Sequence, residues 1–303
     1  MKNNKLQKLA AAVVMGLSIG LAVIPNNVYA ANVQAEMQQQ TKGSVNWLKG
    51  AQADITALGI GLPPENAGMR GTALARRAAI VDAYRSLAET INGVQIDSDT
   101  VMEDLTIASD TVRAQVSALV KGATIIDEGT NVDGSYYVEM SISLYGKTGS
   151  LAAIAFPQIK NADTKEEVTH VEKTSLTAQE LSVLRKKTYT GVIVDAGGLG
   201  LSPTFSPVIY DVNGRAIYGV KNIDKDFAIS QGMVEYSADL QDAAGGNTRA
   251  GENPLVIKAV AVRGGGNSIN MVNVVVSVED GDRILISNEE TAILNNCAVV
   301  FVK

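Results

Sequence analysis

Between Arg70 and Gly93 the apolar residues Leu74, Ala78, Val81, Tyr84, Ala88 and Ile91 recur at steps of four and three, with Arg77, Asp82, Arg85 and Glu89 falling largely elsewhere. That period predicts one amphipathic helix whose buried face carries those six side chains and whose charges are solvated. Asp82 and Arg85, and Arg85 and Glu89, stand at ion-pair spacing, worth ~0.3 kcal/mol each on an exposed face. A strand is expected over 54–61, stopped by Gly61-Leu62-Pro63-Pro64, and a short strand over 94–97 after Asn92-Gly93 ends the helix. Ser109 is placed to N-cap a second helix with Val112, Val116 and Leu119 on one face, ending at Lys121-Gly122. Residues 124–128 read as a strand. The clearest β signal follows, where Tyr136, Val138, Met140, Ile142 and Leu144 alternate with more polar neighbours behind an Asp133-Gly134 hairpin turn.

From 147 to 188 the pattern weakens and charge rises, which predicts a connector; Thr177 and Glu180 form a capping box that opens a short helix through Lys187. Strand signals then dominate, over 191–195, 207–211, 215–220, 255–263, 272–278 and 298–302. Asn213-Gly214 predicts a type I′ hairpin, and Ser287 with Glu290 a second capping box just before the last strand. The fold class expected is therefore α+β: an N-terminal domain (47–146) with two helices packed on a small, mostly antiparallel sheet, then a strand-rich α+β domain (189–303).

The first thirty residues have another character. Lys2, Lys5 and Lys8 precede an apolar run over 9–24, a polar break, and Val28-Tyr29-Ala30, which is the layout of a secretory signal peptide with cleavage between Ala30 and Ala31. A polar, Gln-rich leader is expected over 31–46, and the mature chain is expected to carry no transmembrane span. Losing the three lysines leaves 23 basic residues against 32 acidic ones. An acidic chain without basic clusters argues against nucleic acid and anionic lipid as partners. Cys297 is the one cysteine, so no internal disulfide is possible, and its apolar neighbours predict a buried small hydrophobe.

Catalytic sets are missing. The one histidine, His170, stands in the charged connector, no Gly-x-Ser-x-Gly elbow occurs, and no metal-ligand cluster can be assembled from His and Cys. The glycines of 195–200 do not match a dinucleotide fingerprint, and Pro203 blocks a helix there. Glu279-Asp280-Gly281-Asp282 lacks the remaining ligands of a calcium loop and reads as a hairpin turn. No enzyme activity and no cofactor are expected. If a surface for partners exists, exposed strand edges and the loop 195–203 are the first places to look, with Asp195, Gly198 and Tyr218 as interaction candidates. Carboxylates of the C-terminal domain leave a periplasmic hydrolase or small-ligand-binding protein as the alternative.

Trp47-Leu48-Lys49-Gly50, Gly59-Ile60-Gly61-Leu62-Pro63-Pro64, the segment Ala75-Arg76-Arg77-Ala78-Ala79-Ile80-Val81-Asp82-Ala83-Tyr84-Arg85 and Gly93-Val94 resemble the Lpp-twenty lipoprotein-like family, the twenty-kilodalton membrane-associated lipoproteins. The resemblance spans about residues 45–145. Residues 191–196, 206–211 and 217–219 look like the C-terminal extension of uncharacterised secreted proteins that carry this domain. The resemblance implies a cell-envelope protein, periplasmic or peripherally associated with the outer membrane, acting in outer-membrane or flagellar assembly. Its implied partners are envelope proteins, self-association included. The family's lipidated cysteine has no counterpart near the N-terminus here.

Overall fold

The structure is a computed structural model, and it describes residues 43–159, 168, 170, 171, 173–265 and 270–303. The expected signal peptide and Ala30–Ala31 cleavage site, most of the expected leader and the acidic part of the connector lie outside the described residues. Elements follow in chain order as β1 (Ser44–Asn46), β2 (Asp54–Gly61), α1 (Gly71–Asn92), α2 (Met102–Ala108), α3 (Asp110–Lys121), β3 (Thr124–Thr130) and β4 (Tyr136–Ser143). Next come α4 (Leu151–Ala155), α5 (Ala178–Lys186), β5 (Gly191–Asp195), β6 (Ile209–Asp211), β7 (Ala216–Tyr218) and α6 (Lys225–Gln231). The chain closes with β8 (Glu235–Ser237), α7 (Leu240–Ala244), β9 (Pro254–Lys258), β10 (Ala261–Arg263), β11 (Asn273–Val276), α8 (Val278–Thr291) and β12 (Val299–Val302). The class is α+β, as the sequence indicates.

The first sheet is fully antiparallel in the order β1-β2-β4-β3, and α1 lies across it. The helix exists where the periodicity places it, and of the expected face Ile91 is buried and Tyr84 and Ala88 are half-buried, but Leu74 and Val81 are 42% and 59% exposed and the buried row is Ala75, Ala79, Ala83, Leu87 and Ile91. The reason is on the strand. Ile55, Ala57, Gly59 and Gly61 point at the helix, and their size falls along β2. A Cβ on Gly61 would come within 2.6 Å of the Ala79 amide nitrogen, and one on Gly59 within 2.8 Å of the Ala83 Cα, so backbone packs on backbone. Only a row of alanines fits there, and Leu87 and Ile91 fill the interior further along the helix.

The helix is also tied down by its charges. Asp82 Oδ2 accepts from the Ile60 N–H at 3.2 Å, beyond the reach of β1, while its other oxygen pairs with Arg85 at 3.4 Å. Arg76 forks onto Glu128 of β3 through Nε (2.8 Å) and Nη2 (3.2 Å). The short strand expected over 94–97 is reduced to one bridge, Gln95 to Val101, and α2 is a helix the pattern did not predict. Ser109 caps α3 as expected, accepting from the Val112 N–H at 3.3 Å.

Two hairpins share one turn. In 131–135 and 211–215 the glycines Gly134 and Gly214 have φ of +83° and +78°, and each N–H reaches back three residues, to Asn131 and Asp211. Asn213 is not left-handed, so the turn is a type I turn with a bulge glycine and not the type I′ expected. The connector begins as structure: Ser150 caps α4, and Leu151, Ala152, Ile154, Ala155 and Phe156 are buried. The Thr177–Glu180 capping box forms, with Thr177 N–H donating to Glu180 Oε2 at 2.8 Å.

The second half contains two sheets. One is wholly parallel, β8-β12-β5-β9; the other, β10-β11-β6-β7, is mixed. The run 255–263, expected as one strand, is split between them. Ala259 N–H bonds to Asp195 of β5 and the next amide, Val260, bonds to Val275 of β11, so the backbone changes sheet between consecutive residues. Residues 279–282 are the first turns of α8, not a hairpin: Ser277 accepts from Asp280 N–H at 3.0 Å, and the acidic residues suit the helix N-terminus. Ser287, expected to open a helix, lies inside α8.

The halves share one continuous core. Trp47, in a 3-10 turn of the first half, packs edge-to-face against Tyr145 (6.4 Å between centroids), Phe205 (5.3 Å) and Tyr236 (5.9 Å). The loop after α1 donates acceptors to the other half: the Gln95 carbonyl takes Phe205 N–H at 3.3 Å and the Ile96 carbonyl takes Ser206 N–H at 2.9 Å.

Candidate interaction surface

Asp195 ends β5, half-buried, and its Oδ1 accepts from Gly197 N–H at 3.0 Å, which is the work of a turn cap. Gly198 is exposed with φ +76° in the following turn, and the loop is pinned by Leu201 and Phe205 in the core and by Ser202 N–H on the Met271 carbonyl at 2.8 Å. Tyr218 is 2% exposed and donates to the Met233 carbonyl at 2.6 Å, so it is an interior residue and not part of a surface. The three candidates are thus not one site. Asp195 and Gly198 share a loop, and Tyr218 stands on the other sheet.

Two buried carboxylates share one arginine, and Asp282 Oδ2 has no hydrogen-bond partner among the described residues. Arg215 sits between Asp211 (Nε to Oδ2, 2.9 Å) and Asp282 (Nη2 to Oδ1, 2.6 Å), whose side chains are each 1% exposed. Burial disfavours the Arg215 cation, but the hydrogen bonds to both aspartates outweigh it and hold the guanidinium above its ordinary range. Asp211 Oδ1 also accepts from Asn213 and Arg215 N–H at 2.9 Å each, fixing the hairpin. Such a network clamps α8 onto β6 and β7. It offers no pair of carboxylates facing across a cleft, which acid–base hydrolysis of a glycoside needs. His170 is exposed, and among the described residues no three His, Cys, Asp or Glu side chains converge on a metal position. Cys297 is fully buried, and burial pushes its thiol up, away from the reactive thiolate.

Among the described residues the three-residue strands β1 and β10 and the longer β9 each have a strand on one side only. The β7 edge is covered, since Val168 N–H donates to the Ala216 carbonyl at 2.9 Å, and β8 is flanked by the Trp47–Gln52 turn and by Arg249 N–H on Glu235 at 2.9 Å. The outer strand β3 is bulged between Ile125 and Asp127 and carries Asp127 and Glu128, two devices that discourage pairing. Among the described residues β9 has β5 on one side and no strand on the other. Val256 in its centre is 46% exposed and Val260 just beyond it 53%.

A cleft of about 570 Å³ runs beside this edge, lined by Val183, Leu184, Tyr189 and Leu255, with Glu180 and Arg283 at 3.6 Å from one another on its rim. The hydrogen bonds from the Thr177 amide and hydroxyl hold the Glu180 carboxyl below the usual range, with Arg283 adding to them, so the rim is charged. Sequence reading named strand edges in general but could not single out β9, because Leu255, Val256, Ile257 and Lys258 alternate buried and exposed in the same way as any half-covered strand. The change of sheet at 259–260 has no signature in the residues themselves.

Residues 62–143 match the family described as LPP20 lipoprotein, a likeness that suggests envelope association. Residues 191–303 match the second domain of Treponema pallidum Tp0624. No curated protein matches the chain. Among the described residues no helix is long and apolar enough to cross a membrane.

Proposed function

We propose that this is an exported, non-enzymatic cell-envelope protein that works as an interaction or assembly module, periplasmic or peripherally attached to the outer membrane, with outer-membrane or flagellar-accessory assembly as its setting. The observation that carries the reading is the β9 edge, which no strand covers among the described residues, with exposed Val256 on one face and, on the other, the cleft where Val183, Leu184 and Leu255 meet Glu180 and Arg283. An edge of this kind recruits an extended segment by main-chain hydrogen bonds, and the flanking apolar side chains select it. The LPP20 likeness supplies the envelope setting. A photo-crosslinking residue at Val256 in living cells tests it, with the exposed hairpin tip Val132 as the control. Adducts to envelope protein at Val256 and not at Val132 are expected; a chain that is freely soluble on fractionation and yields no adduct at Val256 defeats the proposal.

A further inference from the structure

Resting on that reading of the edge, we infer that its occupant is a second copy of this chain, joined β9 to β9 antiparallel across a two-fold axis at Val256. The direction of the free backbone groups comes from the ladder on the other side. β9 is parallel to β5 with Asp195 level with Lys258, and the Asp195 carbonyl accepts from Ala259 N–H at 2.8 Å. A parallel ladder engages alternate residues, so the odd-numbered residues of β9 face β5. On β5 the even-numbered Val192 and Ala196 amides correspondingly turn to β12. The N–H and C=O of Val256 and Lys258, and the C=O of Pro254, therefore point outward.

A five-residue edge pairs with its own copy over its full length in one antiparallel register, the one that puts Val256 opposite Val256. In that register the Val256 groups bond reciprocally, and each Lys258 N–H meets a Pro254 carbonyl of the other copy, giving roughly four main-chain bonds. The missing N–H of Pro254 falls at the end of the pairing, where its loss is cheapest. Side chains agree with backbone. The two exposed Val256 side chains meet at the axis, and each Lys258 lies diagonal to Glu252 of the other copy, within reach of a long side chain. Lys258 and Glu252 have no ion-pair partner within the chain among the described residues. An isologous contact of this kind closes on itself and uses up the edge in both copies.

The purified protein is expected to sediment as a dimer. Val256→Lys, which sets like charges opposite one another, and Val256→Pro, which removes an outward N–H and no bond to β5, are each expected to weaken the dimer at least tenfold with the far-ultraviolet circular dichroism unchanged. Val132→Lys is expected to leave it intact. Val256→Cys is expected to give a disulfide-linked dimer on mild oxidation and Val260→Cys none, Cys297 being buried. A wild-type protein that stays monomeric at high concentration, or a dimer indifferent to both Val256 variants, overturns the self-pairing. If the photo-crosslinker at Val256 then traps a different envelope protein, the interaction reading survives and the self-pairing does not; if it traps nothing, both fall.

Discussion

Gly61 and Ala79 meet backbone to backbone: a Cβ on Gly61 would stand 2.6 Å from the Ala79 amide nitrogen. This contact sets how closely α1 approaches β2. Gly61→Ala is expected to push the helix off the strand and cost on the order of 3 kcal/mol, the upper end for overpacking. Leu74→Ala on the exposed face is expected to cost a small fraction of that. Chemical denaturation of the two variants checks the contrast, and similar losses in both would contradict the seam.

The same contact shows where sequence reading succeeds and where it stops. The start, length and end of α1 are legible because the period and Asn92-Gly93 are local signals. Its buried face is not, because ranking by hydrophobicity sends Leu74 and Val81 inward, whereas the space left by Gly59 and Gly61 admits only Ala75, Ala79 and Ala83. The usable signal was a pair: glycines two apart on a strand and alanines four apart on the following helix. The Thr177–Glu180 capping box and the positions of the Asp-Gly and Asn-Gly turns were legible for the same local reason, whereas Ser287 and Glu290 carry the pattern of a box inside α8. The Asp211–Arg215–Asp282 network, the sheet change at Ala259 and the β9 edge join residues distant in sequence or leave a side uncovered, and no local pattern encodes them.

Arg215 bridges two carboxylates that water scarcely reaches, so its removal strands both. Arg215→Met is expected to destabilise by about 3–5 kcal/mol, as for other broken buried pairs. The double variant Asp282→Asn with Arg215→Met leaves Asp211 as the one stranded charge and is expected to recover part of that loss. Thermal melts of the two decide it. No recovery would mean that the pairing contributes nothing beyond packing.

Tyr236 spans the halves. Its hydroxyl accepts from Thr204 N–H at 3.0 Å and donates to the Thr204 carbonyl at 3.1 Å, and Trp47 packs edge-to-face against its ring. Burial pushes the hydroxyls of both Tyr236 and Tyr145 far up, so neither should ionise in the folded protein. Tyr236→Phe leaves buried Thr204 backbone groups unpaired and is expected to cost about 1–3 kcal/mol. Because Trp47 sits in this joint, its fluorescence is expected to change at the same temperature as the far-ultraviolet signal. Two separated transitions would show that the halves unfold independently.

Glu180 reports on acid. The amide and hydroxyl of Thr177 stabilise its charged form and hold its carboxyl below the ordinary 4.5. A carboxyl lowered by folding contributes stability that is fully present above its unfolded value and disappears as pH falls through the folded one. Glu180→Gln keeps the size and an oxygen acceptor but not the charge. Wild type is therefore expected to melt above the variant at neutral pH, with the gap closing as pH drops below about 4.5. Asp133 follows the same rule, since the Ser135 hydroxyl (2.6 Å) and amide (2.9 Å) hold it below 3.8. Ser135→Ala is then expected to lessen the acid sensitivity of the 131–135 hairpin. Melting temperatures taken at stepped pH check both, and a gap that is constant or widens in acid would reverse the sign argued for these carboxylates.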